Sequence, residues 1–551
     1  ARLHFLRGQA REVDIRRFGL RLRVGFQLLL VLIATVIGLG AAVMIYDAVT
    51  SRRVVIEPFH APPPLAVRGI DGTVAAAMLL DELSALQEAT RSTSAARGLS
   101  GAWSGNIKVD VPETGISIGE LSRLLRERFG HDIHIDGDLV ETPTGGLSLT
   151  VRGNGVPPKS FDGTAADLGK TTLAAAEYVY SKSQPARWAS YLIIHQRYTE
   201  AVAFCKSALA GTELAERAML LSRWDIALTF SGGSTREGLG LERAAVKLQP
   251  DLWTAHYNIQ NDLMTLGDEE GAWKAGEEMR AAAGGRPGAA PEAFYTNWDY
   301  LTWNLRPWLA ALLANAEANS GVGNFLGAST GPVIADIDLR LHDPEAAEVA
   351  LKTAKDDPDD VSGKAIVHNV RGRLALEAGD IATALAELEA FGTAYASPAL
   401  STNFPGYHCW IALAEEAAGR PDKADAFLKT AGTFVDCYRF RADILDGRGD
   451  WAGAQKVYAA SVVLAPDLPA GYYSWGVALA KHGDLEGAAA KLEIANQKGP
   501  HWADPIKAWG DVLARLGKKK DALAKYQEAL KYAPDWKQLK EARDALEKPR
   551  A

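Results

Sequence analysis

Two consecutive 34-residue segments of the 551-residue chain share one pattern: 467-DLPAGYYSWGVALAKHGDLEGAAAKLEIANQKGP-500 and 501-HWADPIKAWGDVLARLGKKKDALAKYQEALKYAP-534. Gly476 and Gly510 occupy equivalent positions, since 510 − 476 = 34. Each glycine follows a tryptophan, and each segment ends in proline. A third copy lies one period earlier, with Ala442 in place of the glycine. The stretch from Val435 to Trp536 therefore predicts three consecutive copies of one structural unit.

This period and spacing resemble the tetratricopeptide repeat, a pair of antiparallel helices that stacks on its copies. Small residues fall where two helices must approach closely, and larger ones fill the space beside them. The small set is Gly476, Gly510, Ala442, Ala454, Ala488 and Ala522, and the larger set is Tyr458, Leu492 and Tyr526. The predicted fold class is mainly α: a helical solenoid preceded by one transmembrane helix and a small α/β domain.

Each unit also carries its own stop signals. Gly449-Asp450, Gly483-Asp484 and Gly517-Lys518 are predicted to end the first helix, and a proline ends the second. Weaker copies extend the predicted solenoid over residues 185–536, interrupted by an aromatic insertion near residues 284–330. Residues 537–551 are predicted to form a polar capping helix and tail, which the end of a solenoid needs.

The composition excludes some functions. A formal net charge of −8 argues against a nucleic-acid-binding protein, which normally has a basic face. Three cysteines are too few for a disulfide framework. Cys205 falls at a second-helix position where a buried thiol is expected, and Cys409 and Cys437 lie on first helices of consecutive repeats. Those two can pair in an oxidising compartment, and the sequence leaves open whether they do.

Residues 24–46 contain no charged side chain and include the run Leu28-Leu29-Leu30-Val31-Leu32-Ile33. As a helix this segment is about 34 Å long, enough to cross a hydrocarbon core of about 30 Å. A cleaved signal peptide is the alternative. The apolar run is longer than the usual signal core, and no clean small-x-small cleavage site precedes Arg52. A retained membrane anchor is therefore predicted.

Charge flanking the span predicts its orientation. Residues 1–23 form a basic arm with seven arginines, whereas only Arg52 and Arg53 follow the span closely. The positive-inside rule then places the N-terminus in the cytoplasm and the bulk of the chain outside it. In a bacterium with two membranes, this means a single-pass protein of the inner membrane that faces the periplasm. The span contacts membrane lipid, and the basic arm is placed to touch anionic headgroups.

Residues 54–184 have a mixed pattern that predicts a small α/β domain. Strands are predicted at Val54–Ile56, 107–111, 133–140 and 147–151, and helices at 74–89, 118–129 and 168–181, with a mobile loop over 90–105. The segments Val54 to Phe59, Ile118 to Leu121, Ile135 to Leu139, Leu147 to Gly153 and Phe161 to Gly163 resemble the TolB-N-like domain of bacterial membrane regulators of the CadC and adenylate-cyclase-associated type. The cytoplasmic arm is too short for the output domain of such regulators, so that module is expected to be absent from this chain.

Two sequence patterns contain residue types that occur in chemical sites. Gly169-Lys170-Thr171-Thr172 imitates the end of a phosphate-binding loop, but Thr164 stands where the first glycine is required. His131 to Asp136 contains metal-ligand residue types, yet the alternation of Ile133 and Ile135 with polar residues is what a half-buried strand needs. No catalytic triad or carboxylate pair stands out. We therefore predict no cofactor, no metal and no enzymatic activity.

The densest aromatic cluster lies in the insertion and comprises Tyr295, Trp298, Tyr300, Trp303 and Trp308. It is predicted either to form a local core or to contact a ligand. The tetratricopeptide resemblance further implies that groove residues lie at the second, fifth, ninth and twelfth or thirteenth positions of each repeat. The resulting candidate partner-binding residues, with two of the insertion's tryptophans, are Tyr257, Asn261, Trp298, Trp303, Arg439, Asp443, Tyr473, Lys481, Lys507, Asp511 and Arg515.

The sequence predicts a membrane-anchored, periplasm-facing scaffold that binds a protein or peptide partner in the solenoid groove and stabilises a complex. The alternative is a single-pass sensor that relays a periplasmic signal to a separate cytoplasmic protein.

Overall fold

The computed structural model describes residues 2–66, 69–90, 96–103, 118–284, 296–317, 330–352, 361–395 and 407–547. The chain divides into two compact units, residues 1–194 and residues 195–551. The sequence-based boundary at 184 and 185 falls ten residues earlier, so the helix that begins at Pro185 belongs to the first unit.

The first unit combines one long helix with a two-layer α/β domain. Its elements in chain order are α1 Arg2–Thr50, β1 Val54–Ile56, α2 Pro63–Ala66, α3 Gly72–Ala89, β2 Leu99–Gly101, α4 Ile118–Phe129, β3 Ile133–Glu141, β4 Leu147–Gly153, β5 Val156–Gly163, α5 Leu168–Ser183 and α6 Pro185–Ile194. The sheet order is β2-β1-β3-β4-β5, with β1 parallel to β2 and β3 and the remaining pairs antiparallel.

The core of the domain lies between this sheet and helices α3 and α5. Alternate residues of β3 and β4 point inward, so that Ile135, Leu139 and Leu149 are fully buried. Leu79 and Leu83 of α3 are buried with them, as the apolar spacing of that helix predicts.

Two local predictions differ from the structure. The predicted loop over 90–105 contains the strand β2, which is only three residues long and pairs in parallel with β1. Its sequence, Leu-Ser-Gly, is too short to show strand alternation. The structure also has one strand, β5, that the strand prediction omitted. The strand predicted at 107–111 lies outside the described residues.

Helix α1 contains a candidate membrane span. The most apolar 18-residue window of its segment Phe26–Thr50 has a mean hydropathy of 2.8 and is not buried by the protein. In the described part of the chain, no other helix is both long enough and apolar enough to cross a membrane. The apolar segment of a signal sequence shares these properties.

The second unit consists of helices, most of them in antiparallel pairs. They are α7 Tyr198–Ala208, α8 Leu214–Phe230, α9 Thr235–Leu248, α10 Trp253–Thr265, α11 Glu269–Ala282, α12 Thr296–Thr302, α13 Leu305–Glu317, α14 Thr330–Arg340, α15 Pro344–Lys352, α16 Val361–Glu377, α17 Ile381–Tyr395, α18 Tyr407–Ala417, α19 Pro421–Thr430, α20 Val435–Gly447, α21 Trp451–Leu464, α22 Pro469–Lys481, α23 Leu485–Lys498, α24 Ala503–Arg515, α25 Lys519–Ala529 and α26 Lys537–Glu547. The predicted helical solenoid is confirmed.

The small residues of the repeat permit close packing within each pair. A Cβ atom added at Gly476 would lie 2.7 Å from Cγ of Leu492, and one added at Gly510 would lie 2.6 Å from Cε1 of Tyr526. The turns between the helices are equally specific, because Gly483 and its counterparts adopt a φ near +80°, which favours glycine. The repeat signals in the sequence therefore correspond to physical requirements of the helix pair.

Two further parts of the second unit are the C-terminal helix α26 and the insertion near 284–330. Helix α26, where a capping helix is predicted, buries Leu539 against Tyr526 and Ala529 of the last pair. The insertion near 284–330 is described over residues 296–317, where it forms α12 and α13.

Candidate partner-binding surface of the helical array

The first helices of the last three pairs carry most of the candidate residues. Helix α20 carries Arg439 and Asp443, helix α22 carries Tyr473 and Lys481, and helix α24 carries Lys507, Asp511 and Arg515. These positions avoid the seam between the paired helices, where Ala442, Gly476 and Gly510 lie. The candidates then separate into a part open to solvent and a more buried part, next to which the insertion packs.

The open part, here called the open stripe, comprises Asp443, Val477, Lys481, Asp511 and Arg515. Val477 is 40% exposed, and the side chains of Lys481 and Asp511 are 64% and 42% exposed. Contacts within the array orient its polar groups. Lys481 Nζ lies 2.6 Å from Asp446 Oδ2, and Arg515 Nη1 donates to the carbonyl oxygen of Ala480 at 2.6 Å.

The two aspartates of the open stripe are held by tyrosines of the second helices. Asp511 accepts hydrogen bonds from the Tyr526 hydroxyl at 2.7 Å and from Lys507 Nζ at 2.8 Å. Asp443 accepts one from the Tyr458 hydroxyl in the same way. Each tyrosine is fixed by the packing of its helix pair, so the carboxylates present defined acceptors to solvent.

The more buried part lies next to residues 299–306, here called the covering segment. Trp303 stacks on Trp502 with ring centroids 4.2 Å apart, and the Tyr473 ring lies 4.7 Å from the same tryptophan. The Arg340 guanidinium lies over the Tyr300 ring at 4.6 Å and donates to its hydroxyl at 3.3 Å. Of the predicted aromatic cluster, Tyr300 and Trp303 therefore pack against Arg340 of α14 and Trp502 at the start of α24, and Tyr295 lies outside the described residues.

Further contacts hold the covering segment in place. His501 Nδ1 lies 2.6 Å from Oδ1 of Asn304, and Arg306 Nε donates to the carbonyl oxygen of Tyr532 at 2.9 Å. Leu301 is buried in a core with Val435 and Leu468. Trp298 lies on α12, but its side chain is outside the described part of the structure.

Beneath the covering segment lies a group of buried charges that the sequence analysis did not select. Asp336 bonds both Arg340 Nε at 2.8 Å and Arg373 Nη1 at 2.6 Å. Burial alone would raise the pKa of Asp336, but the two guanidiniums outweigh it and hold that pKa below its usual value. Arg439, beside Asp436 at 3.4 Å, extends this charged surface toward α20.

The sequence contains a pattern that could have identified Asp336 and Arg373 as groove candidates. Each directly follows the small residue of its repeat, Ala335 or Gly372, as Asp443 follows Ala442 and Asp511 follows Gly510. Arg340 lies at the thirteenth position, which Arg515 occupies in the last repeat. These three residues lie in repeats whose sequence pattern is weaker, and they are not among the candidates that the sequence predicts.

Comparison with known proteins gives similarity at the level of structure. No protein-family model matches the sequence, and no curated protein matches it. Yeast Tom70 is similar over 65% of this chain and 93% of its own, at 12% identity and a TM-score of 0.32. YrrB, described as a TPR protein with an unusual peptide-binding site, is similar over 33% of this chain and 92% of its own, at 18% identity and a TM-score of 0.22. The TPR domain of P58(IPK) is similar over 65% of this chain and 95% of its own, at 13% identity and a TM-score of 0.20.

The period of 34, the helix pairs and the glycine contacts at Gly476 and Gly510 agree on one architecture. The helical array is a solenoid of packed helix pairs, as the 34-residue period predicts. Its first helices supply both the open stripe and the more buried part of the surface.

The other two candidates lie on α10 in an earlier repeat of the solenoid. Tyr257 and Asn261 are hydrogen-bonded to each other, and burial raises the pKa of Tyr257. The repeat that contains them contacts later ones directly. Glu269 accepts a hydrogen bond from the backbone N–H of Val435, and Glu270 Oε2 accepts one from the N–H of Asp467 at 3.0 Å. Burial and the nearby Asp436 raise the pKa of Glu269 to about 8.

Three buried carboxylates meet between helices α8, α9 and α10 of the solenoid. Asp225, Glu242 and Asp262 are 3%, 0% and 6% exposed, and Asn258 Nδ2 donates to Glu242 Oε1 at 2.6 Å. Burial raises the pKa of Asp225 to about 6. Burial and the nearby Asp225 carboxylate raise the pKa of Asp262 to about 8. Burial also raises the pKa of Glu242 well above its ordinary value. The cluster therefore holds protons at neutral pH.

The polar residues of the α/β domain that were weighed as chemical sites are engaged in local contacts. Asp132 accepts hydrogen bonds from Ser51 Oγ at 2.6 Å and from the Arg53 N–H at 2.8 Å. His134 Nδ1 lies 2.9 Å from Glu57 Oε1, and Lys170 pairs with Asp167 on the surface. Within the described residues, no group of three or more histidine, cysteine, aspartate or glutamate side chains has a geometry that could hold a metal ion.

The structure answers the question that the sequence left open about the cysteines. Cys409 on α18 and Cys437 on α20 form a disulfide, with Cα atoms 5.1 Å apart, a separation typical of such bonds. Cys205 is a fully buried free thiol, and burial raises its pKa to about 12. The solenoid therefore contains one covalent link between consecutive repeats.

Proposed function

We propose that this chain is a non-enzymatic, membrane-anchored scaffold whose tetratricopeptide-repeat solenoid captures a protein or peptide partner. The observation that carries the proposal is the open stripe. Its charged side chains Asp443, Lys481, Asp511 and Arg515 alternate in sign along three consecutive first helices and flank the exposed Val477. Such a surface suits an extended segment that has both acidic and basic residues around an apolar one.

The spacing of the helices sets the scale of the partner. Neighbouring packed helices lie roughly 8–10 Å apart. An extended chain rises about 3.3 Å per residue, so one repeat corresponds to about three residues of the partner. A segment of eight to ten residues, a rough estimate on this basis, spans the open stripe.

The more buried candidates are proposed to contact the partner in a second step. A partner that reaches Tyr473, whose ring packs on Trp502, must compete with the covering segment, whose Trp303 stacks on the same tryptophan. Arg439 and Lys507, whose side chains are 17% and 19% exposed, and Trp298, which precedes the covering segment, are proposed to join that contact. Displacement of this segment would present Trp303 beside the partner. Tyr257 and Asn261, on the neighbouring repeat, are proposed to extend the same contact surface.

The proposed location is a bacterial inner membrane, with the N-terminus in the cytoplasm and the solenoid in the periplasm. The arginine-rich arm of residues 1–23 and the apolar segment of α1 support this orientation. The disulfide between Cys409 and Cys437 supports it independently, because such bonds persist in oxidising compartments. The resemblance of residues 54–184 to the TolB-N-like domain of membrane regulators is part of the same proposal.

The second candidate function, a transmembrane sensor, is favoured by one specific observation. The C-terminal end of α1 is joined to the α/β domain, because Ala48 is buried there and Asp47 pairs with Arg126 at 3.5 Å. A change in the domain can then move the membrane helix. Replacing residues 1–23 with an unrelated basic sequence separates the two functions: a scaffold keeps its activity and a sensor loses it.

The test of partner capture is a charge reversal in the open stripe. The double variant Asp443→Lys and Asp511→Lys is expected to reduce co-purification of the partner from native membranes. The matched control is Glu493→Lys and Asp521→Lys, which reverses two exposed charges on the second helices α23 and α25. Equal partner yields from the two double variants would contradict the proposal.

A further inference from the structure

Helix α4 exposes a row of large apolar side chains in the first unit. Leu121, Leu124 and Phe129 are 41%, 49% and 54% exposed. At 100° per residue these three positions fall within an arc of about 140° on one side of the helix. Several large apolar groups together on one helix face indicate an interaction surface.

The position of α4 indicates what covers this face. The helix packs against the C-terminal end of α1, where Arg126 Nη1 lies 3.5 Å from Asp47 Oδ2. A Cβ atom added at Gly130, just after α4, would lie 2.9 Å from the carbonyl oxygen of Ala48. Met44, one turn before Ala48, is half-buried, whereas residues 26–43 are all exposed. The contact therefore begins where the exposed apolar part of α1 ends.

This contact determines the depth of α4 relative to the membrane that α1 is proposed to cross. A span needs about 20 residues, so a hydrocarbon core that begins at Phe26 ends near Ile45. Tyr46 and Asp47 then lie at the headgroup level, where tyrosine is favoured. Because α4 contacts α1 at residues 44–48, its exposed leucines lie beside the lipid boundary.

The charge of the helix suits the same surroundings. Arg128 is exposed and falls between Leu121 and Leu124 in angle around the helix. A long arginine side chain can lay its methylene groups along an apolar surface and place its guanidinium on a phosphate. Arg126 and Arg53 are both within 3.5 Å of Asp47. Their positive charges offset the negative charge of this carboxylate, which lies close to the bilayer.

We propose that α4 is an interfacial helix that seats the α/β domain on the phospholipid surface, with Leu121, Leu124 and Phe129 in the headgroup layer. The inference rests on the proposed membrane anchoring by α1. An interfacial helix buries its apolar face about 5–10 Å into the boundary between headgroups and acyl chains. Together with α1, it gives the domain two points of attachment and so fixes its tilt relative to the membrane.

The test uses the full chain reconstituted into vesicles of phosphatidylethanolamine and phosphatidylglycerol. A single cysteine is introduced by Leu124→Cys, Leu32→Cys or Val140→Cys and labelled with a fluorophore without reductant, since Cys205 is buried and the other two cysteines are paired. Nitroxide lipids then quench the label at the headgroup or within the acyl chains. Val140 is the control, because it is 40% exposed and lies seven residues along β3 from Ile133, about 23 Å away.

The expected result is quenching at position 124 by headgroup nitroxide, quenching at 32 by acyl-chain nitroxide, and none at 140. Quenching at position 32 without quenching at position 124 contradicts the proposal that α4 is an interfacial helix, but it supports the proposed membrane anchor. No lipid quenching at either position overturns both. A label at 124 that is shielded from lipid and from aqueous iodide shows that protein covers this face, and this also overturns the inference.

Discussion

Trp303 of the covering segment and Trp502 at the start of α24 stack with their ring planes 9° from parallel and their centroids 4.2 Å apart. Trp502 is almost fully buried, and Trp303 has a φ of +58°, a backbone conformation that bulky residues rarely adopt. The stacking and the Arg340 guanidinium over the Trp303 ring, 5.4 Å away, hold the segment in that conformation. The covering segment thus packs within the molecule on part of the surface that is proposed to receive a partner.

Replacing Trp303 with alanine is expected to release the covering segment. The loss of a large stacked ring should lower the stability of the solenoid by about 1–3 kcal/mol and increase protease cleavage within the insertion. Denaturant unfolding and limited proteolysis measure the two effects. The control is Trp475→Ala, which removes a tryptophan packed against helices of its own repeats. Cleavage in the insertion that rises equally in both variants would show that Trp303 has no special role there.

The difference between the repeats and the insertion explains how much the sequence could predict. Gly476 and Gly483 act within one 34-residue unit, through a contact with Leu492 and a turn at positive φ. Such requirements repeat in the sequence and can be recognised. Trp303 and Trp502 are 199 residues apart, and the insertion has no period, so no local pattern predicts their contact. The aromatic cluster was found by composition, and its location on the groove required the structure.

The close packing at Gly476 makes a second prediction. Gly476→Ala is expected to destabilise the solenoid by about 1–3 kcal/mol, because the new methyl group would overlap Leu492 at 2.7 Å from its Cγ. Gly447→Ala is the matched control. It lies at the end of α20 with no neighbouring atom within 4 Å, so we expect a neutral or slightly stabilising effect. Chemical denaturation of the two variants compares them, and similar losses would refute the packing explanation.

The carboxylate cluster of Asp225, Glu242 and Asp262 makes stability depend on pH in an unusual direction. The pKa of Asp262 is raised to about 8 in the folded chain, whereas an unfolded aspartate titrates near pH 4, as a rough value. The folded state therefore keeps a proton that the unfolded chain releases. This contribution to stability is fully present below the pKa of Asp262 in the unfolded chain. It is lost as the pH rises through the pKa of Asp262 in the folded chain. The part of the solenoid formed by α8 to α10 should be less stable at pH 8 than at pH 5.

Asp262→Asn tests this dependence, because the amide cannot lose a proton. We expect the variant to gain about 1–3 kcal/mol at pH 8 and distinctly less at pH 5. Hydrogen exchange of the amides in α8 to α10 at the two pH values reports the local effect. The control, Asp521→Asn, changes an exposed carboxylate on α25 and should alter neither profile. A gain for Asp262→Asn that is equal at both pH values would contradict the assigned cause.

The disulfide between Cys409 and Cys437 links α18 to α20, and its presence depends on the compartment. In protein taken from native membranes and denatured without reductant, a thiol-alkylating reagent is expected to label Cys205 alone, and after reduction to label all three cysteines. Mass spectrometry counts the labels. Replacing both paired residues with alanine should lower stability by about 2–4 kcal/mol, because the unfolded chain loses a constraint over a separation of 28 residues. Three labels before reduction would mean that the link is absent, and they would remove one support for the periplasmic location.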